Sequence, residues 1–253
     1  MRDILEKLQS GKISIENAEK EILNDFFAIQ PFASLDIYRE ERCGIPEIIF
    51  AENKPAGIFL HIVEEYMKKK DILLATRLKE EHYKILDDLR NKYELDERKM
   101  ARSIIIKRKD FRVEDSGRYV GIITAGTSDI HVAEEAKCVL DITGVRSISC
   151  HDVGIAGIHR IVEPLKKMQI RKVRCIIVAA GMDGALPSFI SGLVKCPVIG
   201  VPVSTGYGFG KNGVGALIGM LQSCSPGLAV VNIDAGVNAG AIASLIARGI
   251  AYE

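Results

Sequence analysis

The chain reads as an α/β protein whose second half is a doubly wound parallel sheet, preceded by a smaller α+β domain. From Tyr119 onward, apolar, β-branched runs alternate with helical patterns, as successive strand-helix units of a parallel sheet require. Polar, Gly-containing loops follow several of these runs. The composition also shifts: 24 of the 33 acidic residues lie in positions 1–118, and 19 of the 23 glycines lie in 119–253, which marks two units with those boundaries.

The front begins with a charged helical pattern, a turn at Gly11, and a second helix that Ser14 can cap before Ile15-Glu16-Asn17-Ala18. A short strand, Glu47-Ile48-Ile49-Phe50, leads to a helix entered at Pro55 and then to the strand Asp71-Ile72-Leu73-Leu74-Ala75-Thr76. Leu78, His82, Ile85, Leu86, Leu89 and Tyr93 recur at helical spacing and predict one charged helix with an apolar packing face. Ser103-Ile104-Ile105-Ile106 is a further strand, and residues 107–117 are polar enough to be a linker. In the second unit, strands are predicted at 120–124, 145–149, 173–179, 197–202 and 228–233, with helices starting at Ser128, Gly157, Gly184, Gly213 and Gly236.

Bulk properties narrow the function classes. A chain of 253 residues with 47% hydrophobic content can bury a sizeable core. A net charge of +1 gives no field for nucleic acid or an anionic membrane. No apolar run reaches the ~20 residues of a spanning helix, and Met1-Arg2-Asp3-Ile4 does not open a signal peptide, so a soluble, cytoplasmic protein is expected. Cys43, Cys138, Cys150, Cys175, Cys196 and Cys224 form no C-x-x-C pair and read as reduced thiols, most of them buried.

In an open parallel sheet, ligands settle outside the carboxyl ends of the strands, where helix N-termini present unpaired N–H groups. Gly126-Thr127-Ser128-Asp129 suits phosphate there, or else Ser128 and Asp129 simply cap the helix. The stretch from His151-Asp152 to His159-Arg160 supplies a group that titrates near neutrality and a two-pronged cation. Its plainer reading is helix-start packing and a surface ion pair. In Ala180-Gly181-Met182-Asp183-Gly184, Gly181 admits a ligand to the backbone, and Asp183 either binds a divalent cation such as Mg²⁺ or shapes a turn. Ser204, Thr205 and Tyr207 lie in a Gly-rich stretch that is either a lid whose Tyr207 stacks on a planar ring or a flexible loop. No spacing matches G-x-G-x-x-G, which disfavours an ordinary dehydrogenase.

Ser128-Asp129, His159-Arg160, Ala180-Gly181 with Leu186-Pro187, and Pro197-Val198-Ile199-Gly200-Val201-Pro202 follow one pattern. Over nearly all of 119–253 it resembles the class I 5-(carboxyamino)imidazole ribonucleotide mutases of purine biosynthesis. The resemblance implies a flavodoxin-like, mutase-type sheet, nucleotide contacts at Ser128 and Asp129, proton movement at His159 and anion contact at Arg160. Departures occur at Ala125-Gly126-Thr127, Ile158 and Met182-Asp183-Gly184-Ala185, and the mutases lack the front domain.

In those departures the chain is similar to the mutase-related synthases of pyridinium-3,5-biscarboxylic acid mononucleotide, which open nickel-pincer nucleotide cofactor biosynthesis. The similarity extends to Asp36-x-x-Arg39-x-x-Arg42-x-Gly44-x-Pro46-Glu47, Ala75-Thr76-Arg77, Ser204-Thr205-Gly206-Tyr207-Gly208, Ser223-Cys224-Ser225-Pro226-Gly227 and Val231-Asn232-Ile233-Asp234. It implies that CO2 carboxylates C5 of the pyridinium ring of nicotinic acid adenine dinucleotide and that the phosphoanhydride is hydrolysed, releasing AMP.

Cys224 would then be the nucleophile, and His159 or a carboxylate such as Asp152 the base for the C5 proton. Substrate contacts would fall to Gly126, Thr127, Ser128, Asp129, Arg160, Gly181, Ser204, Thr205 and Tyr207. Arg39, Arg42 and Arg77 would reach the anionic substrate from the front, Asp183 is the candidate Mg²⁺ ligand, and a homo-octamer is implied. The apolar helix starting at Gly236 suits subunit contacts.

On the residues alone, Cys224 sits at a helix C-terminus, where the dipole opposes a thiolate, and Cys150 beside His151-Asp152 is a local rival. Two other functions compete. Carboxyl transfer on an aminoimidazole ribonucleotide leaves Cys224 and the front domain without a role, and a nucleotide-binding regulator would have lost catalysis.

Overall fold

The computed structural model describes residues 2–26 and 35–249. Helices α1 (Arg2–Gln9) and α2 (Ile15–Phe26) open the chain. Ser14 Oγ accepts the Asn17 N–H at 3.2 Å, the expected cap. A short helix α3 (Arg39–Cys43) ends at Gly44, whose φ of 73° needs glycine.

The front sheet holds β1 (Ile48–Phe50), β2 (Ile72–Thr76), β3 (Glu94–Arg98) and β4 (Ser103–Lys107), in the order β1-β2-β4-β3. Strands β1 and β2 run parallel, connected by α4 (Ala56–Lys69), while β4 is antiparallel to both its neighbours. The sequence did not point to β3, because Glu94-Leu95-Asp96-Glu97-Arg98 is a charged edge strand with little apolar alternation.

The single helix expected over 78–93 is instead two short ones, α5 (Glu80–Tyr83) and α6 (Asp87–Arg90). Buried His82 causes the break. Its Nδ1 accepts the Lys79 N–H at 2.9 Å, so Nε2–H donates to Lys54 O at 2.7 Å, which turns the chain inward. The apolar stripe still packs: Leu78, Leu86 and Leu89 join Phe59, Tyr66 and Leu73 in the front core.

The second sheet holds β5 (Tyr119–Thr124), β6 (Arg146–Cys150), β7 (Ile176–Ala180), β8 (Val198–Pro202) and β9 (Leu228–Val230). All are parallel, in the order β6-β5-β7-β8-β9. This is the flavodoxin-like order, and its switch point lies outside the carboxyl ends of β5 and β7. Helices α7 (Ile130–Ile142) and α11 (Gly236–Arg248) cover one face, and α8 (Val162–Ile170), α9 (Ala185–Ser191) and α10 (Val214–Leu221) the other. Every residue of β7 and β8 is buried, which is why these strands read as unbroken apolar runs.

The two sheets share a core. Ile72, Leu74 and Ile105 of the front pack with Cys138, Val139 and Ile142 of α7 and Val237 of α11. Among the described residues, no helix is long and apolar enough to cross a membrane.

Candidate active site

The loops beyond the carboxyl ends of the second sheet carry backbone strain. Asp152, Met182, Asn212 and Asp234 have φ of 56°, 53°, 60° and 53°, a left-handed conformation that costs non-glycine residues roughly 1–3 kcal/mol each. Such strain persists only where surrounding contacts hold it.

Asp129 is the centre of those contacts. The carboxylate is 3% exposed; Oδ2 accepts the Gly126 N–H at 2.8 Å and Oδ1 the Thr205 hydroxyl at 3.2 Å, and the Gly181 N–H also bonds to it. One side chain thus ties together the loops that follow β5, β7 and β8. Burial pushes its carboxyl above the usual range, and the Gly126 N–H opposes that most strongly. A Cβ at Gly181 would come within 3.0 Å of Thr205 Oγ1, so glycine lets this junction close. Thr127 and Ser128 stay exposed at the start of α7, where unpaired N–H groups and the dipole favour an anion. Asp129 therefore gathers the loops, while its exposed neighbours are the ones free to meet a ligand.

Thr124, buried at the end of β5, shapes the second loop. Its Oγ1 accepts the Asp152 N–H at 3.2 Å and lies 3.4 Å from His151 Nδ1. Residues 155–161 form a 3₁₀ segment kinked at Gly157, where a Cβ would collide with the Arg160 guanidinium. Arg160 Nη1 donates to Asp152 Oδ2 at 3.1 Å, so Asp152 is the counter-ion of Arg160. His159 is exposed and carries no hydrogen bond among the described residues.

Asp183 Oδ1 accepts the Ala185 N–H at 3.3 Å at the opening of α9. No group of three or more His, Cys, Asp or Glu among the described residues is placed to hold a metal. Beyond β8, the Ser204 N–H donates to Asp234 Oδ1 at 2.9 Å, while Tyr207 and Phe209 project outward almost fully exposed.

Cys224 lies elsewhere. Helix α10 returns the chain to the amino side of the sheet, and Cys224 is in the exposed loop before β9. The neighbouring Gly227 O accepts the N–H of Val198, the first residue of β8, at 2.9 Å. A five-residue strand spans about 16 Å, so one chain keeps Cys224 and His159 on opposite edges of the sheet. The amino edge also carries a groove of about 640 Å³ lined by Arg118, Tyr119, Arg171, Lys172, Arg174 and Lys195, away from the loops. Cys150 is half-buried and its thiol is pushed up by burial; Cys138 and Cys175 are sealed in and pushed up to about 12.

Arg39 pairs with Glu47 at 3.4 Å and Arg42 with Asp36, both within the front domain. Arg77 reaches the second unit, where Nη2 donates to Asp234 O at 3.1 Å. Sequence reasoning placed Thr124 at the start of the first loop without a role, and missed His131, whose Nδ1 donates to Ser128 O at 2.9 Å, and the structural part played by Asp234. Asp234 was nonetheless signalled, since it follows the fifth apolar run as the other loop residues follow theirs.

Comparison with known proteins agrees with this layout. The AIR carboxylase family model matches residues 119–251, and the LarB/PurE-like N-terminal domain matches residues 26–109. An uncharacterised protein of Methanocaldococcus jannaschii is 47% identical over 253 residues, covering 98% of this chain and 97% of that one. The N5-carboxyaminoimidazole ribonucleotide mutase of Thermotoga maritima is 34% identical over 140 residues, 53% of this chain and 76% of the mutase. Its Pyrococcus horikoshii counterpart is 36% identical over 138 residues, 53% of this chain and 73% of the mutase. The chain belongs to the AIR carboxylase family, in the LarB-type architecture that sets a LarB/PurE-like N-terminal domain ahead of the parallel-sheet unit.

Proposed function

We propose that the protein carboxylates C5 of the pyridinium ring of nicotinic acid adenine dinucleotide with CO2 and hydrolyses the phosphoanhydride. The products would be pyridinium-3,5-biscarboxylic acid mononucleotide and AMP, and the reaction would open nickel-pincer nucleotide cofactor biosynthesis. The observation that carries this reading is the exposed thiol of Cys224, within Ser223-Cys224-Ser225-Pro226-Gly227, in a chain that also has the LarB/PurE-like front domain.

The chemistry gives such a thiol a use. A pyridinium ring is electron-poor and cannot attack CO2. Addition of a thiolate to a ring carbon forms a C–S bond and leaves a neutral dihydropyridine, whose enamine carbon C5 attacks CO2. The C5 proton then passes to a base, the C–S electrons return to sulfur, and the aromatic cation is restored. His159 is the base in this account, because Asp152 is engaged by Arg160. Thr127, Ser128 and the start of α7 would take a phosphate, and Tyr207 would stack on a ring. Mg²⁺ would arrive on the substrate phosphates, with Asp183 adding a carboxylate, and would offset charge during hydrolysis.

Because Cys224 and His159 sit on opposite edges of one sheet, the covalent step needs a second copy of the chain, consistent with the implied octamer. Exposed Ile158, Val162, Met182, Val214, Ile218 and Leu221 supply apolar surface for such contacts. Subunit mixing tests this directly. Cys224→Ala and His159→Ala octamers should each be inactive, and a reassembled equimolar mixture should regain about a quarter of native turnover, since half the loops and half the thiols are intact. Mixed oligomers that form and stay inactive would refute it.

The second reading is carboxyl transfer on an aminoimidazole ribonucleotide, favoured by the mutase relatives of the second unit. That ring carries its own nucleophilic carbon, so Cys224→Ser would leave its turnover unchanged.

A further inference from the structure

A chain of contacts runs from the front domain into the loop beyond β8. Arg77, left-handed at φ 56°, caps the end of β2 with its guanidinium 5.8 Å over the Phe50 ring. Its Nε lies 3.8 Å from Glu135 Oε1 on α7, its Nη1 3.7 Å from Glu52 Oε2, and its Nη2 donates to Asp234 O at 3.1 Å. Asp234, left-handed itself, accepts the Ser204 N–H through Oδ1 at 2.9 Å and donates its own N–H to Pro202 O at 2.9 Å. The adjacent Thr205 hydroxyl donates to Asp129 at 3.2 Å. Two strained residues that belong to different sheets thus meet at one hydrogen bond.

We propose that Arg77 is a positioning residue: by fixing the Asp234 carbonyl it holds Ser204 and Thr205 against Asp129, so the front domain sets the geometry of the substrate loops. This rests on the reading that those loops bind the nucleotide. The guanidinium acts at a distance, through Asp234, and does not touch substrate.

The groups that face Glu135 give the tie a signature in pH. Arg77 and Arg102 are the cations beside it, Asp234 the nearby anion, and the Val237 N–H donates to it. Protonation of Glu135 removes the negative charge that Arg77 faces and slackens the tie.

The test uses the full-length protein and compares Arg77→Ala, Asp234→Ala, Glu135→Gln and the conservative Asp234→Asn. Amide hydrogen exchange would be followed in residues 203–206 and in β7, and binding of nicotinic acid adenine dinucleotide by calorimetry between pH 6 and 8. Arg77→Ala should speed exchange in 203–206 by about tenfold or more with β7 unchanged, and weaken binding by about tenfold. The double variant with Asp234→Ala should be no worse than either single one, and Asp234→Asn should stay near native because it keeps the acceptor. Native binding should weaken as pH falls through 7, and Arg77→Ala and Glu135→Gln should both lose that dependence.

Unchanged exchange in 203–206, effects that multiply in the double variant, or a pH slope retained in Arg77→Ala would each overturn the proposal. Should the dinucleotide bind none of the proteins, the functional reading fails, and hydrogen exchange still decides the positioning claim. If Arg77→Ala does not fold, Arg77→Lys, which keeps the charge but lacks the forked guanidinium that donates to Asp234 O, carries the same comparison.

Discussion

Replacing Glu135 by Gln should make the protein more stable in mild alkali and barely change it in mild acid. Glu135 is 5% exposed on α7, and burial pushes its carboxyl from 4.5 to about 7, with Arg77 the largest opposing influence. A raised value means that the folded chain holds the proton more tightly than the unfolded chain does. The stability this confers is complete below about pH 4.5 and is lost as pH rises through about 7. The gap corresponds to about 3 kcal/mol. Gln keeps an oxygen for Arg77 and cannot ionise, so wild type and Glu135→Gln should be close at pH 5, and the variant should be ahead by up to about 3 kcal/mol at pH 8. Urea unfolding at fixed protein concentration and ionic strength reads this difference without confusing it with subunit association. Parallel pH profiles for the two proteins would show that Glu135 does not titrate as described.

Gly236→Ala should cost about 1–3 kcal/mol in thermal unfolding, because a Cβ there overlaps Val132 O and comes 2.9 Å from Glu135 Oε2; an unchanged midpoint would contradict the packing of α11 on α7. In the native protein a maleimide should modify exposed Cys224 and Cys43 while Cys138 and Cys175 react only after denaturation, as read by peptide mass mapping. A cationic ring beside the sulfur should favour the Cys224 thiolate, so a pyridinium analogue should change its alkylation rate, and an unaltered rate would count against that mode of activation. Asp129→Ala removes the acceptor shared by Gly126, Gly181 and Thr205 and should weaken dinucleotide binding at least tenfold; native affinity would show that the loops hold without it.

The central strands β5, β7 and β8 of the second sheet were legible because burial on both faces forces apolar runs, whereas the edge strands β6 and β9 are only partly buried. The last run shortened to Leu228–Val230, since Asn232 and Asp234 bend the chain through Asn232 Oδ1, which accepts the Ile233 N–H at 2.8 Å, and Asn232 O, which accepts the Ala235 N–H at 3.2 Å. Strand β3 escaped notice because an edge strand solvates its charges, and the helix over 78–93 broke because a buried histidine outweighed a good apolar period.

At the site, the sequence located the loops that Asp129 joins but left open what Asp129 does, since capping and clamping use the same residue type. The rule that placed those loops also places Cys224 across the sheet: a helix that follows a parallel strand carries the chain back to the amino edge. Arg77 lay within a recognisable motif, yet its partners Glu135 and Asp234 are 58 and 157 residues away in sequence, a pairing no local pattern reveals.

The most direct test of the central claim is to incubate the purified protein with nicotinic acid adenine dinucleotide, bicarbonate and Mg²⁺ and to identify the products by mass spectrometry. A dicarboxylated pyridinium mononucleotide together with AMP, both absent with Cys224→Ala, is the expected result. A dinucleotide that binds and is recovered unchanged would contradict the account and shift the weight to the aminoimidazole substrate or to a regulator.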